Sequence, residues 1–158
     1  MFSSQKDSII KAPSEFGLTS LAHYLKLNAW KGGKTFVYID VRKTKKHKIV
    51  KDIRNEVENY YLKTIDSIDC ILLDSVCFEE NGIMQIIKNI CDEYKNIPLI
   101  IFNTLDNSFF LKSDEDDKVQ IKRDFTPFYL LPLPQTEVRK IVTKYAFYIL
   151  LLKIVKQL

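Results

Sequence analysis

The feature that most constrains the fold is a pair of short runs with no polar residue in their interiors, which stand between stretches of helical periodicity. Residues 69–74 read Asp-Cys-Ile-Leu-Leu-Asp, and residues 98–102 read Pro-Leu-Ile-Ile-Phe. Neither run alternates between apolar and polar residues, as a strand with one solvated face would. Continuous runs of this length are typical of central strands that are buried on both faces, as in a parallel sheet.

The remaining segments extend this pattern into a regular alternation of strands and helices. Apolar, β-branched and aromatic composition predicts further strands at residues 8–12, 35–41 and 126–131. Periodicity predicts helices at residues 19–30, 48–63, 83–94 and 137–157. Such alternation predicts an α/β fold, a three-layer αβα sandwich around a five-stranded parallel sheet. A chain of 158 residues suits a single domain spanning residues 1–158.

Composition and charge exclude several classes of function. A net charge of +4 is too mild to indicate a general nucleic-acid binder. The three cysteines are an odd number and have no metal-ligand spacing. We expect them to form no disulfide, as in a reducing cytoplasm. Residues 1–7 lack the apolar core of a signal peptide, and the apolar run at residues 145–152 is shorter than the ~20 residues that span a bilayer. We therefore expect a cytoplasmic protein with no membrane segment.

A phosphate-binding loop with substitutions lies between the first strand and the first helix. On the pattern G-x-x-x-x-G-K-[ST], Ala12 takes the first glycine, Gly17 the second, Leu18 the lysine and Thr19 the magnesium-binding hydroxyl. In such loops the backbone N–H groups of a helix N-terminus surround phosphate oxygens, while the lysine adds a positive charge. Here that lysine is absent, and Glu15 adds an anion where phosphate would lie.

Polar residues follow several predicted strands at the edge where parallel sheets bind ligands. Residues 14–19, Asp40, Asp74 and Asn103 all come just after strand ends, so we expect them to meet at one edge. Asp40 is expected to be structural, because its strand lies at the edge of the sheet. Thr19, Asp74 and Asn103 each have a structural alternative as well, in a helix turn, a cap or a strand-end turn.

In motif order, the chain resembles the core of a P-loop NTPase of the additional-strand type, close to the AAA+ and STAND groups. Residues 12–22 resemble the first phosphate motif, with a degenerate Walker A pattern. Residues 71–74 resemble the Walker B strand, and residues 99–104 resemble the sensor strand. Residues 129–134, followed by Glu137 and Tyr145, resemble the fifth strand and next helix of STAND proteins.

This resemblance implies a strand order of 5-1-4-3-2 and a specific set of site residues. It implies ATP and Mg²⁺ as cofactors, with Thr19 and Asp74 at the metal and Asn103 as the sensor. The nucleotide-binding residues that it implies are Ser14, Glu15, Phe16, Gly17, Leu18, Thr19 and Ser20.

Departures from the family pattern predict weak chemistry. Leu18 replaces the lysine, and Ser75 stands where a second acid usually polarises water. Losing one such electrostatic group commonly costs ~10²–10³ in rate, so we expect at most a weak ATPase. The helical lid and winged-helix domain of the family are also absent, so the chain resembles part of a longer STAND-type protein or a truncated relative.

Two functions remain open on this basis. One is a degenerate nucleotide-binding switch or oligomerisation module, a role that STAND proteins, including defence proteins, often have. The other is a protein-interaction domain that keeps the fold without the ligand. An unrelated flavodoxin-like or receiver-like domain is a third possibility, with a different strand order.

Two segments are expected to contact partners. The predicted C-terminal helix from Glu137 to Leu158 is apolar around nearly its whole circumference, which favours contact with an adjacent domain or a second copy. The basic run from Arg42 to Lys48 is usually a solvated loop, but it could contact phosphates or an acidic partner.

Overall fold

The computed structural model describes residues 6–105 and 123–131, together with Thr136, Glu137, Lys140 and Thr143, all four helical. Strands and helices alternate along the described chain, as the sequence predicts. They are β1 (Ser8–Pro13), α1 (Leu18–Lys31), β2 (Phe36–Asp40), α2 (Ile49–Glu56), β3 (Cys70–Val76), α3 (Ile83–Glu93), β4 (Leu99–Leu105) and β5 (Thr126–Tyr129).

The five strands form one parallel sheet in the order β2-β3-β4-β1-β5. This is the predicted order 5-1-4-3-2 read from the opposite edge, so the predicted fold class and topology are confirmed. β1 lies between β4 and β5, with Ile10 opposite Phe102 on one side and Phe128 on the other. The loop that follows β1 therefore leaves from the interior of the sheet.

The interior strand β3 supplies side chains to two separate cores. Ile71 and Leu73 pack with α2 and α3 on one face, while Cys70 and Leu72 pack with α1 on the other. All four side chains are fully buried. The helices thus cover both faces of the sheet, which explains why the run at residues 69–74 contains no interior polar residue.

The second helix differs from the prediction. Instead of one helix over residues 48–63, a 3₁₀ turn leads into α2, and a single π-helical turn follows at Val57–Tyr61. Leu62 has a φ of 51° and ends the helical path. The hydroxyl of Tyr61 donates a hydrogen bond of 2.8 Å to the carbonyl of Phe36, which fixes the widened turn against β2.

Two strands extend further than predicted. β3 continues past Asp74 to Val76, and β4 continues past Phe102 to Leu105. The prediction ended both strands where polar residues begin, but Asn103 and Thr104 remain in register with β1. Ladder hydrogen bonding therefore continues into the polar edge of the sheet.

Some predictions fall outside the described residues. The long C-terminal helix is one of them, since only four positions between Thr136 and Thr143 are described. The acidic cluster at residues 114–117 is another.

Candidate functional site

The loop between β1 and α1 has the geometry of a tight strand-to-helix connection. Only Ser14, Glu15, Phe16 and Gly17 separate the two elements. Glu15 and Gly17 have φ angles of 69° and 83°. A Cβ atom at Gly17 would meet nothing within 4 Å, so the glycine serves the backbone angle rather than close packing.

The N-terminus of α1 opens toward this loop without a side-chain cap. Gly17 occupies the N-cap position and supplies no capping side chain, and the first turn contains no acid. The first N–H groups of a helix have no intrahelical partner, and the helix dipole makes this end positive. This end of α1 therefore favours an anion.

A cavity of about 280 Å³ lies at the carboxyl edge of the sheet, beside this helix end. Its lining comprises Pro13, Ser14, Glu15, Phe16, Gly17, Leu18, Thr19, Arg42, Asp74, Ser75 and Thr104. The structure thus brings the predicted loop and Asp74 together. Ser20 and Asn103, also predicted as site residues, do not line it.

Asn103 is buried, with 3% of its surface exposed, whereas Thr104 lines the cavity. Successive side chains of a strand point to opposite faces, so only one of the pair can be directed at a given site. The polar pair at the end of β4 was the available signal in the sequence. Choosing between its members required the register.

Leu18, at the position of the phosphate-loop lysine, is part of the hydrophobic core. Its side chain is 8% exposed and belongs to the cluster beneath α1 that includes Ala12, Ala22 and Phe102. The substitution therefore replaces a mobile cation with a packed apolar group.

Asp74 is held in place by two hydrogen bonds and is 1% exposed. Its Oδ1 accepts a bond of 2.8 Å from the backbone N–H of Ser75, and its Oδ2 accepts one of 2.8 Å from the hydroxyl of Tyr38. Burial, and then the hydrogen bond and charge of Asp74, raise the pKa of Tyr38 well above its usual value. The phenol therefore remains protonated and acts as the donor.

The chain bends sharply immediately after Asp74. Ser75 has a φ of 61°, and the pairing of β3 with β4 shifts between Leu73 and Val76. Such a β-bulge redirects side chains at a strand end and is common beside functional sites. Here it directs the Ser75 N–H toward the Asp74 carboxylate. Tyr38 and this bulge were not predicted from the sequence.

Arg42 reaches the cavity from the turn after β2. The Asp40 carboxylate, 8% exposed, accepts a hydrogen bond of 3.1 Å from the Arg42 N–H. It also lies 3.7 Å from the Arg42 Nε and 3.5 Å from the Lys43 Nζ. Asp40 thus organises the turn without lining the cavity itself. Of the basic run up to Lys48, Arg42 lines the cavity.

The chemistry of the lining suits phosphate oxygens held by N–H, hydroxyl and guanidinium donors. Thr19 and Asp74 offer hard oxygen ligands, and each Asp74 oxygen retains a lone pair. Mg²⁺ usually takes one or two protein oxygens and completes its shell with water and substrate phosphates, which fits this pair. Among the described residues, no three His, Cys, Asp or Glu side chains form a metal cluster.

Two further findings concern the described residues. Cys70, Cys77 and Cys91 form no disulfide bond. In the described ranges, no helix combines the length and the apolar character that crossing a bilayer requires.

Comparison with known proteins supports the fold. No protein-family profile matches the chain, and no curated protein matches it. Among solved structures, the ORC1 protein of Aeropyrum pernix, determined in complex with DNA, is similar with a TM-score of 0.59 at 13% identity. That match covers 92% of this chain, which spans 44% of the ORC1 chain. Protein NMB1076 of Neisseria meningitidis is less similar, with a TM-score of 0.38 at 14% identity over 71% of this chain and 66% of that one. The ORC1 similarity supports the α/β fold with its parallel sheet.

Proposed function

We propose that this chain is a degenerate nucleotide-binding domain, similar to the STAND group, that binds ATP with Mg²⁺ and hydrolyses it weakly or not at all. One observation carries the proposal. The loop after β1, the uncapped end of α1 and the buried Asp74 line one cavity at the carboxyl edge of a parallel sheet. Ligands of open parallel sheets bind at this edge.

Each residue group has a distinct proposed role. The N–H groups from Ser14 to Ser20 surround the phosphates, together with the helix dipole. Thr19 and Asp74 hold the metal, Asp74 through water. Asn103, which is buried and does not line the cavity, acts as the sensor through the end of β4.

Weak hydrolysis follows from the groups that the cavity lacks. Leu18 brings an apolar side chain where transition-state charge needs a cation, and Ser75 brings no general base. We expect turnover below ~0.01 s⁻¹, against typical values of 1–10³ s⁻¹. A site that binds ATP without hydrolysing it suits a signalling switch or an oligomerisation module, for example in a defence protein.

The proposed partners lie outside the cavity. The segment from residue 137 to 158 contacts an adjacent domain of a longer protein, or a second copy of the chain. The cysteines support a reducing compartment such as the cytoplasm, because none of the three is in a disulfide bond.

Titration calorimetry with ATP and Mg²⁺ tests the proposal. Thr19→Asp places a carboxylate in the cavity lining, whereas Thr64→Asp places one on an exposed residue before β3, outside the lining. We expect wild type and T64D to bind and T19D to lose most affinity. Equal binding by both variants, or none by wild type, would contradict the proposal. A phosphate-release assay on the same samples measures the turnover.

A second candidate is a protein-interaction domain that binds no nucleotide. An apolar groove of about 340 Å³ favours it, lined by His23, Lys26, Leu27, Trp30, Tyr60 and Tyr61. Trp30 is 65% exposed and Tyr60 82%, which is unusual for large aromatic side chains. If calorimetry shows that the folded wild-type protein binds no ATP, that result favours this alternative.

A further inference from the structure

We propose that Arg42, at the end of β2, supplies the positive charge for the phosphates that Leu18 does not supply. This inference rests on the proposed nucleotide function and assigns a residue to it. Among the described side chains that line the cavity, Arg42 is the one cation, and Glu15 and Asp74 are the two anions. The positive side chain that compensates the charge of a bound polyphosphate therefore comes from the turn after β2 instead of from α1.

The backbone of Arg42 is fixed where the role requires it. Asp40 lies opposite Asp74 in the parallel register, and the N–H of Val41 donates a bond of 3.0 Å to the carbonyl of Asp74. The Arg42 N–H donates to the carboxylate of Asp40, and the Lys43 N–H closes the turn on the Asp40 carbonyl at 3.1 Å. Three hydrogen bonds therefore hold this turn at the level of Asp74.

The guanidinium, in contrast, is loosely held. Its Nε lies 3.7 Å from Asp40, beyond hydrogen-bond distance, and the side chain is 68% exposed. Within the described part of the chain, Asp40 is its ion-pair partner. An arginine whose Cα is fixed and whose guanidinium group can move is able to turn from Asp40 to a phosphate with little rearrangement. The planar fork also matches two phosphate oxygens at once.

Lys43 provides a matched control inside the same turn. It carries the same charge and pairs with the same carboxylate, at 3.5 Å, and its side chain is 83% exposed. It does not line the cavity. Removing either charge changes the net charge of the protein equally, so a difference between the two variants reports position rather than long-range electrostatics.

The experiment measures dissociation constants for ATP with Mg²⁺ and for inorganic triphosphate, which carries no base. The proteins are wild type, Arg42→Gln, Lys43→Gln and Arg42→Lys. We expect R42Q to weaken both ligands by roughly 10–100-fold, as loss of a charge-assisted hydrogen-bonding pair does, and K43Q by less than ~3-fold. R42K should fall between, because it keeps the charge and loses the fork.

The outcomes separate this inference from the proposed function. If wild type binds and R42Q weakens binding no more than K43Q, Arg42 has no such role and the proposed function stands. If wild type binds neither ATP nor triphosphate, both proposals fail. Should R42Q not fold, R42K decides alone, and unchanged affinity in R42K would overturn the bidentate role.

Discussion

The strands of the sheet begin at its amino edge and end at its carboxyl edge, and these two edges hold their charged residues in different ways. At the amino edge, Arg123 and Asp7 form an ion pair at 3.1 Å, with only 12% and 16% of their side chains exposed. Arg123 also donates to the carbonyls of Ile97 at 2.9 Å, Cys91 at 3.1 Å and Tyr94. Asp7 accepts a further bond of 2.8 Å from the N–H of Leu99. This network joins the end of α3 to the starts of β4 and β5.

At the carboxyl edge the corresponding groups are held less tightly or under strain. Arg42 is mostly exposed and lies 3.7 Å from its acid. Glu15 and Ser75 adopt positive φ angles, which cost non-glycine residues roughly 1–2 kcal/mol each. Strain and loose charges of this kind collect at functional sites, and the surrounding fold must offset them. The amino edge is therefore expected to carry stability and the carboxyl edge binding.

Arg123→Ala is expected to have the largest effect. It removes the ion-pair partner of Asp7 and one hydrogen-bond donor from each of three carbonyls, in a nearly buried position. We expect a loss of about 2–4 kcal/mol in the free energy of unfolding, measured by urea denaturation. Arg42→Ala, at the other edge, should change it by less than ~0.5 kcal/mol. Similar losses for the two arginines would remove the distinction between the edges.

The amino edge should also determine how the free energy of unfolding changes at alkaline pH. Burial, and then the charges of Asp7 and Asp69, raise the pKa of the Cys70 thiol to about 12. Because the unfolded thiol loses its proton first, near pH 8.5, stability is intact below that pH and falls as pH rises toward 12. One retained proton corresponds to ~1.4 kcal/mol per pH unit, or roughly 2 kcal/mol by pH 10.

Denaturation curves at pH 7.5, 9 and 10 measure this slope. Cys70→Ala should reduce it, whatever its effect on stability at pH 7.5. Cys77→Ala is the control, because it removes a thiol from a half-exposed position beyond β3. If both variants keep the wild-type slope, Cys70 does not govern the alkaline response.

Tyr38→Phe tests how firmly the carboxyl edge holds its buried acid. The change removes the donor to Asp74 Oδ2 and leaves a nearly inaccessible carboxylate with one hydrogen bond fewer. We expect a loss of about 1–2 kcal/mol in stability. Tyr24→Phe, whose side chain is 61% exposed, should cost almost nothing and controls for the hydroxyl itself. Coupling can be measured by combining Y38F with Asp74→Asn in a double-mutant cycle, where additivity would contradict the contact.

The fold could be predicted because its signals are local and repeated. Runs such as residues 69–74 are typical of strands buried on both faces of a parallel sheet, and motif order then indicated the strand order. Element ends were less predictable, because β3 and β4 continue through polar residues whose hydrogen bonds depend on neighbouring strands.

The candidate site could be predicted only in part. Residues 14–19 and Asp74 share a cavity because consecutive strand ends meet at one edge, a consequence of topology. The sequence indicated Arg42 only as the first residue of a basic run, and it contained no signal for Tyr38 as a site residue. Both depend on the pairing of β2 with β3, which brings Asp40 opposite Asp74. Contacts between distant segments carry no signal within either segment.

The smallest expected effect concerns the strained loop. Glu15 has a φ of 69°, which glycine adopts at no steric cost. Glu15→Gly should relieve that strain, although glycine gains entropy in the unfolded chain. We expect a net stabilisation of about 0.5–1 kcal/mol, measured by thermal and urea unfolding.

Glu15→Gln separates the two properties of this residue, since it removes the charge and keeps the backbone requirement. It should leave stability within ~0.5 kcal/mol of wild type, while both variants tighten triphosphate binding by removing an anion from the cavity. Tighter binding in E15Q without a gain in stability would show that strain and charge act separately at this edge. A gain in stability as large in E15Q as in E15G would mean that the charge, and not the backbone angle, makes Glu15 unfavourable. At Glu15, the carboxyl edge would then differ from the amino edge in charge and not in strain.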